Sequence, residues 1–202
     1  MHQVKGTKGY SEVTERFIEA TIGIDFMELH QSIIEFIPTK PGRVLDVGAG
    51  IGRDASVLSE MGHIVVAVEP TADFCAAARR LYDSPHIEWV DDSLPMLSVL
   101  GNQPDQFDFV LASGVWHHLD DAEQQSAMLR IFKLLRLCGV FALSLRHGPA
   151  GAGTHVFPTC GQRTVEYAEA CGFATLLHLP NQPSLLKGKE SVTWTRLVFV
   201  MS

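Results

Sequence analysis

Residues 44–53 read V-L-D-V-G-A-G-I-G-R: an apolar run that carries Asp46, then glycines at 48, 50 and 52, then a helical pattern. Glycine at alternate positions lets backbone N–H groups close on a ligand with no Cβ in the way. It also admits the backbone angles that a tight strand-to-helix turn requires. Such a turn constrains the chain to an α/β arrangement and points to a nucleotide-like ligand at the strand's end.

The dinucleotide fingerprint places its third glycine three positions after the second, and here that slot holds Arg53, which disfavours a pyrophosphate ligand. The spacing D-x-G-x-G-x-G, with an acid ahead of the first glycine, resembles the first motif of the class I S-adenosylmethionine (AdoMet)-dependent methyltransferases, small single-domain bacterial-type enzymes. AdoMet has no phosphate, but its α-amino group can donate to a carboxylate such as Asp46 or to nearby carbonyl oxygens.

Residues 63–69, H-I-V-V-A-V-E, form a second apolar run that ends in an acid roughly twenty residues after the glycines, where folds of this type bind a ribose. A carboxylate accepts from both hydroxyls of a cis-diol, so Glu69 is the ribose candidate, followed by Pro70. Residues 89–95, W-V-D-D-S-L-P, close a third strand. The resemblance implies that its Asp accepts from the adenine amine while the next backbone N–H meets a ring nitrogen. Asp92 with Ser93 fits that register, and Asp91 competes for it. The fourth strand spans 107–114, F-D-F-V-L-A-S-G, and in the family its end lies beside the methionine moiety. Ala112 and Ser113 are expected to give backbone contacts there, as Gly48, Ala49 and Gly50 do at the first turn. The expected cofactor is AdoMet, with S-adenosylhomocysteine (AdoHcy) as product.

Short apolar strands alternate with helical periods from 43 to 148, the pattern of βαβ units and a parallel sheet. Asp120 is a predicted N-cap with Glu123 as its capping-box partner, and Met128, Ile131, Phe132 and Leu135 continue one helical face to a left-handed cap at Gly139. The fifth strand is expected over 140–145. Thr159 and Gln162 read as another capping box, opening a helix that Gly172 ends, and two strands follow over 173–179 and 193–201. The resemblance implies that these close the sheet as an antiparallel pair. The expected fold is a Rossmann-like, mostly parallel seven-stranded sheet of order 3-2-1-4-5-7-6 with helices on both faces.

Ahead of that core, 11–22 and 26–37 have helical periods, with Val13, Phe17 and Ala20 on one face and Phe26, Leu29, Ile33 and Phe36 on the other. The expectation is one domain over 1–202, with residues 1–40 as a helical cap on a core of 43–202. Tyr10, Glu15 and Arg16 are candidates for closing the pocket, and Arg16 for pairing with the AdoMet carboxylate.

Methyl transfer from a sulfonium is an in-line displacement, so the protein must chiefly align acceptor, methyl carbon and sulfur and exclude water. In an open α/β sheet the ligand crevice lies outside the strand C-termini, which points to 114–120, G-V-W-H-H-L-D, and 144–149, S-L-R-H-G-P. Trp116, His117, His118, Arg146 and His147 are expected at that rim. Arg146 would orient an anionic group of the acceptor, and the order for a general base is His147, His117, His118. For each imidazole the plainer role of cap or packing residue stands beside the catalytic one.

His147, His155 and Cys160 match no zinc spacing, and no acidic cluster stands at 112–114, so no metal is expected. An N/D-P-P-Y/F sequence is also absent there, which disfavours adenine-N6 or glutamine-amide methylation. The four cysteines show no C-x-x-C spacing and read as reduced thiols. Hydrophobic residues make up 46% and charged residues 19%, a globular balance. No apolar run is long enough to span a bilayer, and residues 1–8 are polar, so a cytoplasmic protein is expected. A net charge of -7 argues against a polyphosphate partner, and Arg79-Arg80 and the cluster 187–189 read as short solvated groups. The expected activity is methyl transfer to a small polar metabolite, by proximity or with a general base. The alternatives are an RNA or protein methyltransferase and a non-catalytic AdoMet-binding module.

Overall fold

A computed structural model describes residues 4–202 other than 102, 103, 105, 152 and 187. Its centre is a seven-stranded sheet of order β3-β2-β1-β4-β5-β7-β6, as the sequence predicts. The strands are β1 (Arg43–Val47), β2 (Ile64–Val68), β3 (Ile87–Val90), β4 (Phe107–Ala112), β5 (Leu135–His147), β6 (Phe173–Pro183) and β7 (Thr193–Met201). The first five pair in parallel, and β7 runs antiparallel between β5 and β6.

Six α-helices accompany the strands among the described residues: α1 (Thr14–Thr21), α2 (Phe26–Leu29), α3 (Arg53–Glu60), α4 (Ala72–Leu81), α5 (Asp121–Leu134) and α6 (Gly161–Cys171). The period-2 alternation of each strand sorts its side chains into two cores. Leu45, Val47, Phe141 and Phe199 pack with Met128 and Ile131 of α5 and Ala168 of α6. Val44, Phe109, Ala142 and Val198 pack with Phe26 of α2 and with Ala55 and Leu58 of α3. Asp46 shares the second face but sits at the strand's C-terminal end, where the apolar layer stops.

The predicted capping box opens α5: Asp120 Oδ1 accepts from the Glu123 amide at 2.9 Å, and Glu123 Oε2 accepts from the Asp120 amide at 2.9 Å. The helix ends earlier than expected, at Leu134, because Leu135 already pairs with Phe107 of β4. An apolar residue suits a helix face and a buried strand equally, so the periodicity could not place that boundary. The left-handed position falls on Cys138 (φ 63°), not Gly139. Gly139 is required for a different reason: a Cβ there would lie 2.7 Å from the Arg136 carbonyl oxygen.

Gly172 ends α6 with φ 105° as predicted, but the capping box at its start does not form. Cys160 is the N-cap, and the Thr159 hydroxyl instead donates to the Arg146 carbonyl at 3.0 Å. The helix predicted over 26–37 is also broken, into α2 and a 3-10 turn at Ile34–Phe36. The break falls at His30, whose Nε2 is bound to Asp54 Oδ2 of α3 at 2.9 Å. Phe26 and Ile33 stay buried across it.

Candidate functional site

A cavity of about 760 Å³ opens at the C-terminal edge of β1, β2, β4 and β5, roofed by the N-terminal segment and α1. That volume is in the range of small-molecule and cofactor sites. The turn after β1 forms one wall with three left-handed glycines, Gly48 (φ 71°), Gly50 (φ 57°) and Gly52 (φ 83°). Each is needed for its own reason. A Cβ on Gly48 would meet Val115 Cγ2 at 2.9 Å, and one on Gly52 would meet Trp89 Cη2 at 2.7 Å. A Cβ on Gly50 would meet only Phe17 Cε1, at 3.9 Å, and would otherwise stand in the cavity.

Asp46, 2% exposed, lines this wall, and its Oδ2 has no hydrogen-bond partner. Burial raises its pKa well above the ordinary carboxylate range, and the nearby carboxylates of Asp54 and Glu69 add to the effect. A buried acceptor without a donor costs free energy until something supplies one. Asp54 differs: burial raises its pKa, but the His30 contact and Arg53, whose Nε donates to Oδ1 at 2.8 Å, outweigh that and hold it low.

Glu69, at the end of β2, has each carboxylate oxygen fixed by one backbone amide: Oε2 accepts from Gly50 at 2.9 Å and Oε1 from Thr71 at 2.7 Å. The Thr71 side chain also donates to this carboxylate. Burial pushes its pKa up against the bonds from Thr71 and Gly50. Asp92 is oriented likewise, accepting from the Ser93 amide at 2.8 Å and the Val99 amide at 2.7 Å. Asp92, Ser93 and Pro70 line the cavity, and Asp91 does not. Ala49 and Ser113 also line it. Ala112 does not: it is fully buried in the core facing α5, because alternation along β4 turns it away from Ser113.

The histidines separate in the same way. Arg146 and His117 line the cavity, whereas His147, placed first as a base by the sequence, does not. Consecutive residues of β5 point to opposite faces. The His147 ring instead rests between hydroxyls, with Nε2 2.8 Å from Thr195 Oγ1 and Nδ1 3.4 Å from Thr159 Oγ1. Trp116 is fully buried rather than at the rim. His118 faces the cavity and is bound at both nitrogens: Nδ1 donates to the His155 carbonyl at 2.7 Å, and Nε2 accepts from the Tyr10 hydroxyl at 2.9 Å. A carbonyl only accepts, so the proton sits on Nδ1. The His117 ring lies tilted against His118 with centroids 4.1 Å apart, and burial, with the His118 ring and Arg146 beside it, lowers its pKa to about 3.

Tyr10 and Arg16 line the cavity as expected; Glu15 does not. Burial raises the Tyr10 pKa to about 12. Gly153 makes room for the Tyr10–His118 contact, since a Cβ there would lie 2.6 Å from Tyr10 Cε2 and 2.7 Å from His118 Cε1. Arg79 and Arg80 are exposed, Lys187 lies outside the described residues, and Lys189 joins the cavity lining. Trp194 and Arg196 of β7 also line it and were not foreseen. The signal was present: in T-W-T-R, alternation puts Trp and Arg on one face of a strand that is otherwise apolar. Among the described residues no group of three or more His, Cys, Asp or Glu is placed to hold a metal. No helix among them is long and apolar enough to cross a membrane.

Residues 44–139 match the family profile described as methyltransferase domain. Over those residues, just under half of the chain, it is similar to methyltransferase domains, and its sheet order is that of the methyltransferase fold. The chain is similar to an uncharacterized methyltransferase of Staphylococcus carnosus strain TM300, 30% identical over 105 residues, which are 51% of this chain and 46% of that protein. It is also similar to one of Anoxybacillus flavithermus strain DSM 21510 / WK1, 31% identical over 121 residues, 58% of this chain and 55% of that protein. The chain thus spans about half the length of the curated relatives it matches. Among solved structures, it resembles the 1,6-didemethyltoxoflavin-N1-methyltransferase of Burkholderia thailandensis, with TM-score 0.72, 21% identity, and 96% of this chain and 85% of that one covered. That structure contains bound 1,6-didemethyltoxoflavin and AdoHcy.

Proposed function

We propose that this chain binds AdoMet in the cavity and directs its methyl group to a small polar metabolite. The observation that carries the reading is Asp46 Oδ2, a buried carboxylate oxygen without a donor beside a glycine turn that is open only on its ligand side. A phosphate there would face the Asp46, Glu69 and Asp54 carboxylates, whereas an α-ammonium supplies the donor Asp46 lacks and holds it ionised. The acceptor capacity that Glu69 keeps beyond its bonds from Gly50 and Thr71 suits a ribose hydroxyl, and Asp92 can accept from an adenine amine, while the Ser93 amide is already given to Asp92 Oδ1. Bound AdoMet would supply an electrophilic methyl on a sulfonium.

The residues around the acceptor favour alignment over proton abstraction. A His117 with a pKa of about 3 is neutral at every working pH but has little affinity for a proton, and Tyr10, at about 12, holds its own. Their role in this reading is to present fixed, uncharged hydrogen-bonding groups in a site from which water is excluded, while Arg146 orients the acceptor. His147, lodged between Thr195 and Thr159, supports the rim rather than the reaction.

The test is transfer of a labelled methyl from AdoMet to a fractionated metabolite extract. The expected result is label in a small-molecule fraction, with incorporation reduced at least tenfold by Arg146→Ala and little altered by His147→Ala. Label confined to RNA or protein, or none despite bound AdoMet, would overturn the metabolite reading.

A further inference from the structure

Acidic and basic side chains are unevenly placed in the cavity: Lys5, Arg16 and Arg53 stand on the same side as its carboxylates, but the far side holds cations without acids. Its carboxylates come from the β1, β2 and β3 ends and from α3 and α5, whereas from β5 onward the described lining holds Arg146, Lys189 and Arg196 and no acid. The register explains the separation. Asp46 stands opposite Leu111, Leu111 opposite Ala142, and Ala142 opposite Val198. Arg196, two residues before Val198 on an antiparallel strand, therefore stands opposite Ser144, one step beyond the apolar layer and three strands across from Asp46.

Arg196 is only 8% exposed, yet among the described residues its guanidinium has neither a hydrogen-bond acceptor nor an ion-pair partner. It lies over the Trp194 ring, with Cζ 5.4 Å from the centroid, and the acid that acts on it is Asp54, beyond ion-pair distance. A guanidinium so nearly buried ordinarily has its donors satisfied, because losing water without replacement is costly. Arg146 is different, since its Nη1 already donates to the Pro149 carbonyl. Trp194 in turn lies against the turn after β4: a Cβ on Gly114 would be 3.7 Å from its Cη2. A flat apolar surface and a free cationic fork thus meet beside the segment that borders the methionine end of the expected cofactor.

We propose that Trp194 and Arg196 form an acceptor subsite that takes a planar, apolar compound carrying a carboxylate, the ring lying on Trp194 and the two oxygens on the Arg196 fork. This deepens the methyl-transfer reading above and rests on it for the role of the bound compound as acceptor. One free guanidinium matches the two coplanar oxygens of a carboxylate, and the indole face supplies an apolar surface for the attached ring.

The experiment is calorimetric titration of the AdoHcy-loaded protein with benzoate, nicotinate and indole-3-acetate, each against its primary amide, and with inorganic phosphate as competitor. At least one carboxylate should bind tenfold or more tightly than its amide. Arg196→Met should abolish that preference, Arg196→Lys should keep part of it, and AdoHcy affinity should stay within twofold in both. Because Arg196→Met removes a buried charge without a partner, its melting temperature should equal or exceed the parent's. The proposal is overturned if no pair discriminates, if discrimination survives Arg196→Met, or if phosphate displaces every carboxylate at equal concentration. It is also overturned if Arg196→Met weakens AdoHcy tenfold, which would put the guanidinium on the cofactor. A parent protein that takes up no AdoHcy contradicts the function proposed above, and the same titrations on the unloaded protein still decide whether the anion subsite exists.

Discussion

Gly50 and Gly52 lie two residues apart in one turn, both left-handed, and alanine at the two positions should have opposite consequences. At Gly50 the added methyl meets nothing nearer than Phe17 Cε1 at 3.9 Å, so Gly50→Ala bears only the cost of a side chain in the left-handed region, about 1–2 kcal/mol. For a chain of this size that is a fall of about 2–8 °C in melting temperature. The methyl would stand in the cavity, where the backbone must close on the ligand, and AdoHcy affinity should fall at least tenfold, about 1.4 kcal/mol. At Gly52 the Cβ would be 2.7 Å from Trp89 Cη2 and 3.0 Å from Cζ2. Overpacking of about 1–3 kcal/mol then adds to the conformational cost. Gly52→Ala should therefore melt clearly lower than Gly50→Ala while binding AdoHcy better, once assayed at a temperature where both are folded. Thermal unfolding and calorimetry on the two variants measure both quantities. If Gly50→Ala binds AdoHcy within twofold of the parent, or Gly52→Ala melts no lower than Gly50→Ala, the assignment of separate tasks within the turn is wrong.

Three further outcomes are expected. Asp46 has a raised pKa in the folded chain, so the folded state holds a proton that the unfolded state releases. Stability of the ligand-free protein then falls as pH rises from about 4 through the folded value, and Asp46→Asn should remove that fall while abolishing AdoHcy binding; an unchanged pH profile in urea unfolding would refute it. His117 shows the opposite slope, because the unfolded chain takes up a proton between about 6.5 and about 3 that the folded one refuses. Stability should drop with acidification by up to about 1.4 kcal/mol per pH unit, and His117→Gln should flatten the decline in urea midpoint. Tyr10→Phe leaves the His118 Nε2 acceptor without its donor and should cost about 1–2 kcal/mol, with faster proteolysis ahead of α1; equal protease resistance would remove this contact as the latch of the roof.

Most of the frame was legible because parallel strands, buried on both faces, announce themselves as apolar runs, and because acids at strand ends are rare enough to stand out. Asp46, Glu69 and Asp92 were all placed on the cavity from that logic. What escaped depended on tertiary contacts. Alternation alone separates Arg146 from His147 and Ser113 from Ala112, but only the sheet register says which of each pair faces the crevice. The boundary at Leu134 was hidden because Leu135 serves a helix face and a buried strand equally well. The break at His30 is set by Asp54, 24 residues away in the chain, which no local pattern encodes. Arg196 is the instructive omission: a lone cation alternating with Trp194 in an apolar strand marks where the ligand face begins.

The central claim is that the Gly48–Gly52 turn, Asp46 and Glu69 hold AdoMet. Thermal unfolding with AdoHcy at a hundred times its dissociation constant tests it directly. Ligand binding to the folded state alone should stabilise it by about 2.7 kcal/mol, a rise of about 5–11 °C, and the rise should vanish in Asp46→Asn. A melting temperature indifferent to both AdoHcy and AdoMet at millimolar concentration, or raised equally in Asp46→Asn, would contradict the account.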